Sequence, residues 1–330
     1  MLGRRRLLAG TAVAALTAGA MVDRVAAADG TPVLIAESQG HGWSSFYVAD
    51  GEKLWQKHGL IPEVSKQSSG RLATDAVLAR KANFGTTTDS VVVLAGMRGL
   101  RPIVLADFAR SVELFVTART DRGIDQPKAL RGKRIATQIG TSGHYYLSKY
   151  LALHGMTNKD VQIVNIASSD MVTAVVRGDV DAFAWSFRSG QIAEREAPGL
   201  VRMLSNEGIE ATWINHLLLV ANEDTTPDVC KAAVAALLDA EEILINDPRR
   251  AAAIVAGRTE TSVDETLEGF KLNDYKVRLD KRLIVDMLAN ASWAVEAGLA
   301  AKPKQELEPV FRGLIEDRYL RALKPDRVSL

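Results

Sequence analysis

Five short clusters of small, hydroxyl-bearing or aromatic residues carry the recognisable chemistry of this chain. They are Ser38-Gln39-Gly40-His41, Ser68-Ser69-Gly70, Gly85-Thr86-Thr87-Thr88-Asp89, Gly140-Thr141-Ser142-Gly143 and Trp185-Ser186-Phe187-Arg188. Each follows a strand-like run, and three of them open a helix with Ser, Thr or Gly. The first turn of a helix leaves backbone N–H groups without intrahelical partners. A Ser or Thr can cap them. Left free, the same groups carry partial positive charge and suit an anion. Gly140-Thr141-Ser142-Gly143 admits both readings. Several such clusters gathered in one cleft would supply neutral donors around a small ligand, and that convergence favours binding. The expected ligand is a small organic anion held by the N–H groups of Thr141, Ser142 and Gly143. Ser38, Thr86 and Thr87 are expected to add hydrogen bonds.

Other residues have two readings each. Trp185 is either a core aromatic or a wall against an apolar part of the ligand. Arg188 either grips an acidic group in bidentate fashion or sits solvated at a helix start. Asp89 either meets a ligand amine or complements the dipole of the helix it begins. Gln39, His41 and Trp43 fall in the first loop, and Phe108 is placed at one lip of the cleft. His41, His144 and His216 lack metal-ligand spacing, so no metal and no cofactor are expected. Enzyme signatures are missing: His144 stands where G-x-S-x-G needs its last Gly, and neither H-E-x-x-H nor C-x-x-C occurs. Cys230 is the sole cysteine and lies in an apolar helical pattern, as a small core residue would.

The elements that must position these clusters alternate. VLIAES (Val33 to Ser38) reads as a strand, Ser44 to Gly59 as a helix and IPEVSKQ as a second strand. A helix is expected from Arg71 to Arg80, then a loop from Gly85 to Thr88, a helix from Asp89 and the strand PIVLADF. A second β-α series runs from RIATQI to VRMLSN. Such alternation specifies parallel sheets covered by helices. Two longer apolar runs, Val112 to Arg119 and Ile214 to Asn222, read as crossover strands between two lobes. Mostly helical chain follows Pro227, and the segment from Arg321 to Leu330 reads as a loose tail. In open parallel sheets, ligands sit beyond the carboxyl ends of the strands. The expected division is 29–115 with 216–330 as lobe I and 116–215 as lobe II.

The amino-terminal segment has a different character. Arg4, Arg5 and Arg6 precede an apolar run from Leu7 to Val22, and Ala26-Ala27-Ala28 offers a cleavage site. This is the pattern of an export signal over residues 1–28, by a twin-arginine-like or Sec route, without a lipoprotein cysteine. The leader has four arginines against one aspartate, a net of +3; the whole chain is +1, which leaves −2 for the remainder. Near balance argues against nucleic acid and against a polybasic membrane patch as partners. About 47% apolar content in 330 residues is enough for a core without disulfides.

The order of elements resembles the periplasmic substrate-binding proteins of ABC importers, in the NMT1/SsuA-like branch that handles aliphatic sulfonates, taurine, nitrate and thiamine precursors. Four stretches carry the likeness: ADGEKLWQKHGLIPEVSK, ANFGTTTDSVV, ALRGKRIATQIGTSGHYYLSKYLALHGM and VVRGDVDAFAWS. They lie between Leu34 and Pro248. The resemblance implies a bilobal α/β fold of the type II periplasmic-binding-protein class, hinged, monomeric and non-enzymatic. It implies a small-molecule ligand in the cleft, a periplasmic location, and a membrane permease with its ATPase as partners. Relatives often follow the tryptophan with an acid and a proline; Ser186, Phe187 and Arg188 stand here instead. Two alternatives share the fold: a thiamine-pyrimidine-synthase-like enzyme, which needs a cysteine-rich segment, and the binding subunit of a periplasmic sensor.

Overall fold

A computed structural model describes residues Gly30–Leu330. The export-signal reading of residues 1–28 lies outside the described residues.

The first sheet begins with β1 (Thr31–Glu37), and a 3-10 turn His41–Trp43 leads into α1 (Ser44–Gly51) and α2 (Leu54–Lys57). The expected single helix is therefore broken. Gly51 lies so close to Ile254 that an added Cβ would stand 2.6 Å from its Cγ2, and Lys53 turns the chain through a left-handed conformation at φ 56°. The turn lets Trp55 pack on Phe46 with ring centroids 5.6 Å apart.

β2 (Leu60–Lys66), α3 (Gly70–Leu78), β3 (Phe84–Thr88), α4 (Asp89–Met97) and β4 (Ile103–Ser111) complete the first series. The expected loop at Gly85–Thr88 is instead the end of β3, every residue of which is buried. A strand walled by helices on both faces has no exposed face to mark it by alternation.

The chain then enters the second sheet through β5 (Leu114–Arg119), β6 (Arg134–Thr137), α5 (Ser142–Leu153), β7 (Gln162–Asn165), α6 (Met171–Arg177), β8 (Ala182–Ser186), α7 (Phe187–Glu196) and β9 (Val201–Met203). β10 (Asn215–Ala221) returns to the first sheet. Its seven residues are all buried, as a continuous apolar run in a central strand requires. α8 (Pro227–Asn246), α9 (Pro248–Thr259), α10 (Val263–Phe270), β11 (Asn273–Asp274), β12 (Leu279–Asp280) and α11 (Lys281–Glu296) follow. The end is not loose. α12 (Leu307–Arg312) and α13 (Arg318–Leu323) pack on lobe I, and β13 (Val328–Ser329) pairs in parallel with β12.

Strand order is β11-β4-β10-β3-β1-β2 in the first sheet and β7-β6-β8-β5-β9 in the second. Neither is wholly parallel. β10 runs antiparallel to β3 and β4, and β5 runs antiparallel to β8 and β9. The two runs read as crossovers are thus one sheet strand in each lobe. The crossings themselves are short: Val112-Glu113 on the way out, and 204–214 on the way back. Asn206 ties them together, its amide donating to the carbonyls of Val112 at 3.2 Å and Leu114 at 3.0 Å.

Behind this hinge, Trp293 of α11 packs on Tyr145 of α5 at 4.7 Å and donates its indole N–H to Ser148 at 3.0 Å. Among the described residues no helix is long and apolar enough to cross a membrane.

Candidate functional site

The carboxyl ends of both sheets face one small interlobe cavity. Lobe I supplies its first loop and the start of α3. The loop is pinned from two sides. Ser38 N–H donates to Thr86 Oγ1 at 2.8 Å, while the Tyr47 hydroxyl donates to Ser38 O at 3.0 Å and accepts Gly40 N–H at 3.2 Å. Gly70 opens α3 directly on β3, where a Cβ would stand 3.1 Å from the Thr87 backbone. That approach brings Ser68, Ser69 and Arg71 to the cavity wall.

Lobe II supplies the start of α5. Gly140 turns the chain at φ 78°, and Thr141 precedes the helix without a side-chain cap. Its hydroxyl donates backward to Gln138 O at 2.6 Å. The Ser142 hydroxyl meets no protein partner among the described residues. Trp185, at the end of β8, lies flat against Gly143: an added Cβ there would stand 2.6 Å from its Cε3. Ser186 caps α7 by accepting Ser189 N–H at 3.3 Å.

The two short crossings supply the floor. Glu113 is 5% exposed; its Oε2 accepts Gly42 N–H at 3.0 Å and an Asn273 amide N–H at 3.4 Å. Burial pushes its carboxyl up to about 7, against the lowering effect of those two donors. Asn215 Oδ1 and Thr88 Oγ1 are also buried there without a protein partner.

A larger outer cavity adjoins the inner one through Gln39, Ser68, Trp185 and Ser186. The lobes meet around it. The Ser168 hydroxyl donates to Ser68 O at 2.7 Å, and Arg195 pairs with Glu265 at 2.9 Å.

Of the residues singled out from the sequence, Ser38, Gln39, Trp43, Thr141, Ser142 and Trp185 line the inner cavity, with Gly143 packed behind Trp185. The others are placed elsewhere. Thr86 and Thr87 are fully buried in β3, their hydroxyls engaged by Ser38 N–H and by the Thr74 hydroxyl at 2.7 Å. Phe108 is no lip; it is fully buried between Trp43 and Phe46. His41 is also fully buried, packed so tightly on Gly269 that an added Cβ there would stand 2.6 Å from the ring. Burial, then the charge of Arg188, lowers its imidazole to about 4.

Asp89 belongs to a buried polar cluster of lobe I. It accepts from Asn290 at 3.1 Å, and burial raises its carboxyl to about 6. Arg188 reaches only the outer cavity. Its Nε donates to Thr259 O at 2.6 Å, so it joins the lobes and caps the end of α9. Among the described residues no group of three His, Cys, Asp or Glu side chains is arranged for a metal ion.

Thr88, from the third of the sequence clusters, also lines the cavity, as do Arg71, Glu113 and Asn215, which the sequence does not mark as ligand contacts. Glu113 had one sequence signal: a lone acid inside the apolar run VELF. Arg71 follows Ser-Ser-Gly at a helix start, where it reads as an ordinary solvated residue.

Comparison with known proteins identifies the family and the fold. The NMT1/THI5-like family model matches residues 42–251. The chain belongs to that family. A putative binding protein of Brucella abortus is 26% identical over 237 residues, 70% of this chain and 73% of that protein. The taurine-binding periplasmic protein of Escherichia coli is 26% identical over 210 residues, 61% of this chain and 63% of that protein. Among solved structures, the alkanesulfonate-binding protein SsuA from Xanthomonas axonopodis pv. citri, bound to MOPS, superposes with a TM-score of 0.74 at 17% identity. That match covers 88% of this chain and all of that one, and it shows the periplasmic-binding-protein fold. The relatives named here bear the names of binding proteins.

Proposed function

We propose that this NMT1/THI5-like protein is an extracytoplasmic solute-binding protein that captures a small organic anion between its lobes and delivers it to an ABC permease with its ATPase. One observation carries the reading: a helix from each lobe, α3 and α5, begins at the same cavity, and no side chain caps α5. Two helix starts present N–H donors and partial positive charge to one small volume. Arg71 adds a full charge at that wall, lying against Gly140 across the lobes: a Cβ on Gly140 would stand 3.4 Å from its Nη1.

In this reading the acidic group of the ligand rests on Ser142, Gly143 and Ser69, and Trp185 covers its apolar part. Ser38, Gln39 and Trp43 close the lobe I side. The taurine- and alkanesulfonate-binding relatives make sulfonates the first class to try. The leader-like pattern of residues 1–28 supports a location outside the cytoplasm.

Ser142→Ala tests the site. The hydroxyl has no protein partner to lose, so the melting temperature is expected to stay close to the parent's. Affinity for a small sulfonate such as ethanesulfonate is expected to fall by about 1–2 kcal/mol, the size of a hydrogen bond to a charged group. Unchanged affinity in a calorimetric titration would remove Ser142 from the site.

A further inference from the structure

The carboxyl of Glu113 is buried at the hinge and opens into the cavity assigned above to an anion. Its two oxygens are treated differently. Oε2 accepts from both Gly42 and Asn273, whereas Oε1 meets no donor among the described residues. That is the arrangement of a neutral acid, with Oε2 as its carbonyl oxygen and the proton on Oε1, in a side chain that lines the cavity.

Among the described residues no cation is bonded to the carboxyl to hold the charged form. The 3-10 turn brings Gly42 N–H and His41, a ring kept neutral by burial. Tyr47 of α1 and Tyr275 beyond β11 bring phenols that burial keeps protonated. β11 brings Asn273, and β10 brings the unpartnered Asn215 Oδ1. From α7, Phe187 N–H donates to the Glu113 backbone carbonyl at 2.7 Å, and Arg188 is turned away to Thr259 and Glu260. The remaining cation is Arg71, in the opposite wall at the start of α3.

We propose that Glu113 determines the ionic form the cleft accepts: the anion enters together with one proton, which stays on the Glu113 carboxyl and forms a hydrogen bond to the ligand. The inference rests on the anion-capture reading. Burial, outweighing the lowering effect of Gly42 and Asn273, already pushes the carboxyl up to about 7. A second negative charge in the same small cavity disfavours the carboxylate further. Above neutrality the free protein is ionised and the complex is not, so each binding event takes one proton from solvent. Affinity for an anion therefore falls as pH rises, by about tenfold per unit while the free carboxyl is ionised and the bound one is not. Below about pH 6 the affinity is flat.

Ethanesulfonate is the probe, titrated calorimetrically at pH 8 in two buffers of different ionisation heat. The expected result is uptake of close to one proton, with a Kd that weakens about tenfold from pH 8 to pH 9. Glu113→Gln, a neutral isostere that still donates, is expected to bind with no pH dependence. The two-buffer result on the unaltered protein stands without the variant. Taurine serves as the counter-probe, because its ammonium would pair with a carboxylate. If taurine binds without proton uptake and Glu113→Gln loses taurine alone, Glu113 acts as a charged partner and the proposal fails. If ethanesulfonate binds equally at pH 6 and pH 9, proton coupling fails while anion capture stands. If neither probe binds at any pH, the capture reading fails for this class and takes the proton coupling with it.

Discussion

Replacing His216 with leucine is expected to lower the unfolding free energy by about 3–5 kcal/mol, the cost of stranding a buried charge. His216 is wholly buried; its Nδ1 bonds Asp107 at 2.8 Å and its Nε2 bonds Asp286 at 2.9 Å. Burial opposes a charged ring here. The charge of Asp107 and hydrogen bonds to Asp107 and Asp286 outweigh it and push the imidazole up to about 10. The leucine variant would leave Asp107 in the core with only Arg110, 3.1 Å away, as its ion partner.

The pH dependence has a definite sign. A raised pKa means stabilisation that is complete below the unfolded value near 6.5 and is lost as pH rises through about 10. Urea unfolding of the parent should therefore show stability declining from pH 7 to pH 10, by at most about 1.4 kcal/mol per unit from this group. The leucine variant should lack that component. A loss smaller than about 1 kcal/mol on substitution would mean that the triad contributes little.

The second large effect is expected at Gly143. Alanine there places a methyl 2.6 Å from Trp185 Cε3 and 3.1 Å from Ala184 O, so the indole must move. Trp185 lines both the inner and the outer cavity, and its displacement changes the shape of both. Overpacking of this kind costs about 1–3 kcal/mol. Part of it should appear in ligand affinity, at about tenfold for each 1.4 kcal/mol. Gly143→Ala with Trp185→Leu removes the clash with the indole but not the contact with Ala184 O, and the double variant should recover part of the lost stability. Coupling between the two positions is read directly from the cycle. Purely additive effects would show that the indole does not rest on Gly143 in solution.

The alternation of strands and helices was legible in the sequence because each amphipathic element shows its own period. What escaped was set by distant parts of the chain. Gly-Thr-Thr-Thr at residues 85–88 looks like a loop, since hydroxyls mark turns. It is a buried strand because Ser38 N–H and Thr74 satisfy two of those hydroxyls from 48 and 13 residues away. The role of Glu113 depends on Gly42 and Asn273, 71 and 160 residues distant. Val112–Arg119 and Ile214–Asn222 were recognised as special, but their apolar run could not show that each lies antiparallel inside a sheet. The carboxyl-terminal segment looked loose until β12 was in place to pair with Val328. Of the site, the parts carried by local pattern were readable: the start of α5, the tryptophan ending β8 and the first loop. The parts brought in by the hinge were not.

The central claim is that the interlobe cavity binds a small organic anion by its charge. Its most direct test is a calorimetric titration of the purified protein at pH 7 with small sulfonates and carboxylates, each paired with its neutral amide. The account predicts that at least one anion gives a saturable one-to-one heat with a Kd below about 1 mM, a free energy near −4 kcal/mol or better, while its neutral counterpart gives none. Silence from every anion, or a neutral amide that binds as tightly as its acid, would contradict it.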